Sequence, residues 1–312
     1  MAETSSITAP ESSTTPGLSI TPQGFSITPQ GPFSLAEAAL FGFGQRLDDQ
    51  WDGVMRLAFC VDGYAVQAGV TLEQDDAGLV HGSVTGPGDV EVIASQVARV
   101  LSLDHDGTEF TAIGERDPVI GQLQQAAPGL RPPLFYSPYE AAAWSVLSAR
   151  RPLKQMVAVR QRLSEAHGQT FELAGQSLAA FPLPEALLTV ESFAGLTADK
   201  IDRLHGVAKA ALNGELDAAT LLELGPDEAM SRLQRIKGIG PFYSSLIVIR
   251  GTGFADVVPV GEPKALELAG RLYQRDGALS ESDFRELAEA WRPLRTWAIV
   301  LIRAAGPRVL AD

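Results

Sequence analysis

The sequence predicts an α+β fold: an antiparallel sheet with a covering helix, followed by an all-helical region. Three observations predict it. Apolar residues alternate over short runs between Val54 and Val84. From about Asp117 strand signals fade, and successive segments open with helix-start chemistry. Leu233 to Gly251 reads as two helices joined by a glycine turn.

In chain order, residues 1–32 are rich in Ser, Thr, Pro and Gly and carry a direct repeat, Ser19-Ile20-Thr21-Pro22-Gln23-Gly24 and then Ser26-Ile27-Thr28-Pro29-Gln30-Gly31. This composition predicts a mostly disordered tail. Strands are expected over Val54–Val61, Tyr64–Glu73 and Leu79–Val84, with a turn at Asp75-Asp76-Ala77-Gly78, which makes an antiparallel meander. Asp89 is placed to cap a helix whose Val90, Ile93, Val97, Val100 and Leu101 fall at helical spacing, so one helix covers the sheet. These elements make an α+β domain over 33–112. Helix starts then follow at Ser137-Pro138-Tyr139-Glu140, Thr197-Ala198-Asp199-Lys200, Pro226-Asp227-Glu228 and Ser280-Glu281-Ser282-Asp283, giving an all-helical domain over 113–312.

A chain of 312 residues that is 45% hydrophobic can bury a substantial core. It has no apolar run of the about 18 to 20 residues that span a bilayer, nor a basic-then-apolar start, so a soluble cytoplasmic protein is expected. The lone Cys60 lies in a strand-like run, which excludes an internal disulfide and favours a buried structural thiol. The four histidines, His81, His105, His167 and His205, lack metal-ligand spacing. A net charge of −13 argues against a nucleic-acid partner at first sight, but it is unevenly spread. Residues 1–112 hold 3 Lys+Arg against 15 Asp+Glu, and the rest of the chain holds 22 against 23. Charge alone leaves DNA, a protein partner and plain solubility open.

The segment that carries chemistry is Leu233–Gly251: a helix end, a Gly238-Ile239-Gly240 turn, Pro241 at the first position of a new helix, and an apolar helix. This is a helix-hairpin-helix. Glycines allow close approach of a phosphate, and the free amides at the second helix start point at that anion. An ordinary glycine-capped connection is the plainer reading of a lone Gly-x-Gly. A dinucleotide fingerprint fails, because Tyr243 stands where a third glycine is needed and no strand precedes. Next comes a Gly/Pro-rich loop, Gly251 to Gly261, ending in Glu262-Pro263 at another helix start. Taken bare, Glu262 is a residue that favours the helix dipole.

Hairpin, Gly/Pro loop and acid together resemble the helix-hairpin-helix, Gly/Pro-Asp (HhH-GPD) superfamily of DNA glycosylases. The resemblance covers most of residues 33–305 and is nearest to the AlkA-like 3-methyladenine glycosylases, through Ala127-Pro128-Gly129-Leu130-Arg131-Pro132, Ser137-Pro138-Tyr139-Glu140-Ala141 and Trp291-Arg292-Pro293-Leu294-Arg295-Thr296-Trp297-Ala298. It implies an all-helical glycosylase fold after the sheet and a hydrolase that flips a modified purine from double-stranded DNA and cleaves its glycosidic bond. The chain would act as a monomer, without membrane, nucleotide or other required cofactor. Glu262 would be the catalytic carboxylate, and Gly238, Ile239, Gly240 and Phe242 would hold the DNA backbone. Phe242, Leu246, Pro263 and Arg303 would line the base pocket, and Arg150 would be the wedge that fills the vacated stack. The carbonyls of Gln234, Ile236 and Ile239 would hold a monovalent cation. The cysteine count excludes the iron-sulfur branch. Phe242 stands where the lyase branch has a lysine, so the enzyme would be monofunctional.

The chain departs from the family in three ways. Glu262 replaces the family's aspartate, moving the carboxylate and predicting weak or redirected activity. The pocket keeps one aromatic ring, and Arg303 would repel a cationic base. An arginine, Arg150, stands at the apolar wedge position, beside Arg151 and Lys154. A non-catalytic lesion-binding paralogue and a helical interaction protein are the two alternatives.

Overall fold

The structure is a computed structural model that describes residues 17–41 and 51–311, so residues 1–16 of the expected tail lie outside it. The rest of that segment is ordered, contrary to the expectation. β1 (Leu18–Thr21) and β2 (Gly24–Ile27) form a hairpin at the edge of a five-stranded antiparallel sheet. The first copy of the repeat supplies most of β1 and its turn, and the second supplies the last two residues of β2, Ser26 and Ile27. Composition hides these strands because only one face is buried: Phe25 and Ile27 enter the core and Ser26 faces out beside His81. Phe25 lies across Gly82, where an added Cβ would come within 2.3 Å of its ring. Downstream, the buried Arg131 guanidinium gathers the carbonyls of Gln30, Gly31 and Pro32. α1 (Leu35–Phe41) follows.

The meander is β3 (Met55–Cys60), β4 (Gln67–Gln74) and β5 (Val80–Thr85), and the sheet order is β1-β2-β5-β4-β3. β4 begins three residues later than expected, because Tyr64 sits in a turn with φ 56°. Its ring is buried, and its hydroxyl donates to the Leu216 carbonyl at 2.5 Å. Asp75 Oδ1 accepts from the amides of Ala77 and Leu79 and closes the next turn. Asp89 accepts from Glu91 N at 2.8 Å and caps α2 (Val90–Val100), which buries Ile93, Val97 and Val100 over Leu57, Phe59, Val70 and Leu72. Each such side chain contributes about 1.5–3 kcal/mol. Cys60 is buried and donates to the Phe181 carbonyl, and burial pushes its thiol pKa well up.

Helices begin before the expected boundary at 113, with α3 (Thr108–Arg116) and then α4 (Pro118–Ala126), α5 (Pro138–Ser148) and α6 (Leu153–His167). The region is not all helical. β6 (Thr170–Leu173) and β7 (Gln176–Ala179) form a hairpin whose Phe171 and Leu173 cover Gly69 of β4 and pack on Ala58. The sheet uses them to close its outer face. The chain continues through α7 (Pro184–Leu188), α8 (Ala198–Leu212), α9 (Ala218–Leu224), α10 (Pro226–Leu233) and α11 (Pro241–Ile247). It ends with α12 (Pro263–Leu272), α13 (Glu281–Ala288) and α14 (Arg295–Val309). The expected starts hold: Ser137, Thr197 and Ser280 cap through their hydroxyls, and Pro226 opens α10.

Two helical cores result. One gathers Val146 and Leu147 of α5, Leu204 and Val207 of α8 and Ile247 of α11. The other surrounds α14 with Ile120, Leu268, Trp291 and Trp297. Asp117 ties the second together: it caps α4 and also accepts from Trp291 Nε1 at 2.9 Å and the Tyr273 hydroxyl at 2.6 Å. The hairpin, its loop and Glu262 lie in the stretch of chain that joins the two cores.

Candidate nucleic-acid interface and active site

α10 ends at Leu233, and its last turns tighten as Ile236 N bonds to Leu233 O and Ile239 N to Ile236 O. Ile236 and Ile239 are buried and fasten the turn to the helical core. Between them Gly238 takes φ 100°, a region that L side chains avoid, and a Cβ there would also meet the Arg203 side chain at 3.0 Å. Gly240 is extended and N-caps α11, and a Cβ there would meet nothing within 4 Å. Its face is open to an approaching ligand. Pro241 has no amide hydrogen, and the first helical bond is Ser244 N to Gly240 O. The amides of Phe242 and Tyr243 therefore lie in the unbonded first turn. The hairpin brings together Gly238, Ile239, Gly240 and Phe242 as expected. Of the three carbonyls singled out with them, that of Ile236 already accepts from Ile239 N.

After seven residues α11 widens into one π-helical turn, Val248–Thr252. The Thr252 hydroxyl donates back to the Val248 carbonyl. Gly251 lets this turn press on α5, where a Cβ would come within 3.0 Å of Pro138 Cα. Single π turns of this kind recur at functional sites.

The Gly/Pro loop that follows is tied to the start of α14. Thr296 N donates to Ala255 O, and the Thr296 hydroxyl accepts from Val257 N at 3.0 Å. Asp256 takes two bonds from Arg295, at 2.7 and 3.1 Å, and one from Arg292 at 2.6 Å. Val260 N donates to the Ser245 hydroxyl of α11. These bonds deliver Glu262 to the head of α12 beside the hairpin. The Phe242 ring approaches Gly261 so closely that a Cβ there would lie 3.8 Å from it.

The Glu262 carbonyl accepts from Ala265 N and Leu266 N, but its carboxylate makes no capping bond. It pairs instead with Arg303 Nη1, two turns into α14. The two side chains are 23% and 39% exposed, so the pair borders solvent rather than the core. Val258, Pro259, Gly261, Leu266 and Phe284 wall a small pit beside the carboxylate. Of the expected pocket residues, Phe242, Pro263 and Arg303 lie around Glu262, and none of the four lines the pit. Phe242 adjoins Gly261, Leu246 stands one turn behind it, Pro263 follows Glu262, and Arg303 closes on the acid. Arg150 is elsewhere, exposed in the turn after α5 with φ 55°.

One charged residue at the site was not anticipated. Arg250, in the π turn, is buried, donates to the Pro133 carbonyl and lies 5.5 Å from the centre of the Phe41 ring. Burial, and then repulsion from Arg303, push its pKa well down, with Glu262 opposing. A charge ending the apolar run Leu246-Ile247-Val248-Ile249 is the signal that could have marked it. Among the described residues no His, Cys, Asp and Glu side chains cluster to hold a metal ion, and no helix is long and apolar enough to cross a membrane.

No family model matches the chain. In sequence it is similar to a DNA-3-methyladenine glycosylase of Bacillus subtilis (strain 168), 24% identical over 212 residues that cover 67% of this chain and 70% of the relative. It is also similar to DNA-3-methyladenine glycosylase 2 of Escherichia coli (strain K12), 25% identical over 187 residues, 59% of this chain and 63% of the relative. Two solved structures share the fold. The 3-methyladenine DNA-glycosylase of Archaeoglobus fulgidus superposes with a TM-score of 0.75 at 20% identity, covering 90% of this chain and 98% of that one. The 8-oxoguanine glycosylase/lyase of Clostridium acetobutylicum, in complex with double-stranded DNA, superposes with a TM-score of 0.68 at 18% identity, over 94% and 98%.

Proposed function

We propose that this chain, which belongs to the AlkA-like branch of the helix-hairpin-helix DNA glycosylase superfamily, is a monofunctional glycosylase that hydrolyses the N-glycosidic bond of alkylated or otherwise modified purines in double-stranded DNA. The observation that carries the reading is the juxtaposition of hairpin and acid: the Phe242 ring of the turn faces Gly261, the residue before Glu262, where an added Cβ would lie 3.8 Å from it. A phosphate seated on the amides of the hairpin leaves its own sugar within reach of that carboxylate.

The chemistry asks little more of the protein. As the bond from C1′ to the base nitrogen lengthens, positive charge builds on the sugar ring, and an anion placed there stabilises it. Water completes the reaction at C1′, and the base departs with the bonding electrons. An N-alkylated purine is already cationic and leaves without a strong general acid. Arg303 must first release Glu262, since a carboxylate held by a guanidinium has much of its charge neutralised. With the longer side chain of glutamate, this predicts slower chemistry than an unpaired aspartate would give. We assign the backbone at Gly238, Ile239, Gly240 and Phe242 to the phosphate, Arg150 to the gap in the stack, and the carbonyls of Gln234, Ile236 and Ile239 to a monovalent cation. The protein would work as a monomer on cytoplasmic DNA.

The test is base release from methylated duplex DNA by wild type beside Glu262→Gln. The variant should bind DNA as before and lose about 10²- to 10³-fold in release. Because Phe242 offers no amine for a Schiff base, wild-type product should carry intact abasic sites cut only by alkali. Undiminished release by Glu262→Gln would remove Glu262 from the mechanism.

A further inference from the structure

α5 ends without a glycine. Its last carbonyls, normally left without helical partners, are taken up by a side chain 50 residues on. Lys200 Nζ donates to the carbonyls of Val146 at 2.6 Å, Leu147 at 2.6 Å and Ala149 at 3.3 Å. All three ammonium hydrogens are engaged on the turn that leads into Arg150. That turn is held in an unfavourable backbone shape: Arg150 has φ 55°, and Arg151 N bonds back to Ser148 O.

The same helical turn of α8 reaches the hairpin. Lys237, one residue before Gly238, pairs with Asp202 at 2.7 Å and lies 4.0 Å from Asp199. Asp199 in turn holds Arg203 at 2.9 Å, and the Arg203 side chain is the group that packs over Gly238. One side of the turn thus carries the end of α5 and the other the hairpin. Burial, and then repulsion from Arg151 and Arg203, lower the Lys200 pKa, with Asp199 opposing. Arg151, Lys200, Arg203 and Lys237 outnumber Asp199 and Asp202 here, so a nucleic-acid phosphate would meet a net positive edge.

We propose that the first turn of α8 is a brace that sets the position of the Arg150 turn relative to the hairpin, with Lys200 as the positioning residue for extrusion of the target base. The brace rests on the reading of Arg150 as the wedge and of Gly238 to Phe242 as the phosphate clamp. It predicts that Lys200 matters in proportion to how hard the base is to unstack. Chemistry at the sugar should be indifferent to it.

The experiment compares wild type, Lys200→Met, Lys200→Arg and Lys237→Gln. One readout is single-turnover excision of hypoxanthine paired with cytosine or placed in a mismatch. The second is the fluorescence of 2-aminopurine beside the target, which reports unstacking whether or not a base is released. Lys200→Met should slow excision from the stable pair by about 10- to 100-fold, with a much smaller loss on the mismatch and a weaker 2-aminopurine signal at saturating protein. Lys200→Arg should restore most of both, and Lys237→Gln, at an exposed site that spares the fold, should show a milder version of the same bias. Equal losses on both substrates, or an unstacking signal unaffected by Lys200→Met and Lys237→Gln, would overturn the brace. If wild type releases no base while its unstacking signal depends on Lys200, the glycosylase reading fails and the brace stands.

Discussion

Arg303→Gln should shift the enzyme's preference from neutral lesions toward cationic ones. In the structure the Arg303 guanidinium pairs with Glu262, and the proposed function puts it at the mouth of the base pocket. A cationic purine seated beside that carboxylate would put two positive charges about 6 Å apart, worth about 3 kcal/mol at an effective dielectric constant of ~20. Both side chains border solvent, so screening reduces this to about 1 kcal/mol. The preference then changes about fivefold at room temperature. Loss of the Glu262 partner acts in the same direction, because the unpaired carboxylate attracts a cationic base more than a neutral one. The assay is kcat/KM for release of 3-methyladenine divided by that for hypoxanthine, in wild type and variant on otherwise identical duplexes. The ratio should rise by about five- to tenfold in Arg303→Gln. A ratio that stays constant, or that moves toward hypoxanthine, would refute the placement of Arg303 against the base.

Three further outcomes follow from the structure. Gly240→Ala should leave thermal stability within about 0.5 kcal/mol of wild type while weakening DNA binding, since its Cβ meets nothing in the protein but would intrude on a phosphate. Gly238→Ala, at φ 100° and against Arg203, should cost about 1 kcal/mol or more of stability, read by denaturant titration. Glu140 is buried, and burial raises its pKa against the opposing charge of Arg160. Its proton is held more tightly in the folded chain than in the unfolded one, so its contribution to stability is complete below the ordinary value of 4.5 and is lost as pH rises through the higher folded value. Glu140→Gln should therefore flatten the fall in stability above that pH, and a profile parallel to wild type would contradict the burial argument.

Much of the scaffold was legible because its signals are local. Asp89, Ser137, Thr197 and Ser280 cap helices through bonds to amides two or three residues away, so their positions could be read from adjacent residues. The same holds for the hairpin, where Gly238, Gly240 and Pro241 each answer a backbone requirement of a single turn. Glu262 was legible locally only as a helix-start acid, and its catalytic role came from the resemblance to the glycosylase superfamily.

Other features depended on partners far along the chain. The Ser/Thr-rich hairpin at Leu18–Ile27 is a strand pair only because β5, more than 50 residues on, supplies its hydrogen bonds and a groove for Phe25. The β6–β7 hairpin exists to cover Gly69, 100 residues earlier. The pairing of Glu262 with Arg303, the seat of Arg250 under Phe41, and the capture of the α5 carbonyls by Lys200 likewise join residues that no local pattern relates. The sequence by itself determined which segments become helices and where the helix-hairpin-helix turn and the Gly/Pro loop lie along the chain, because caps, glycines and prolines act over one turn. Only the tertiary structure decided which charge faces Glu262 and what holds the Arg150 turn, because a long side chain on a helix meets whatever the packing of other elements brings to it.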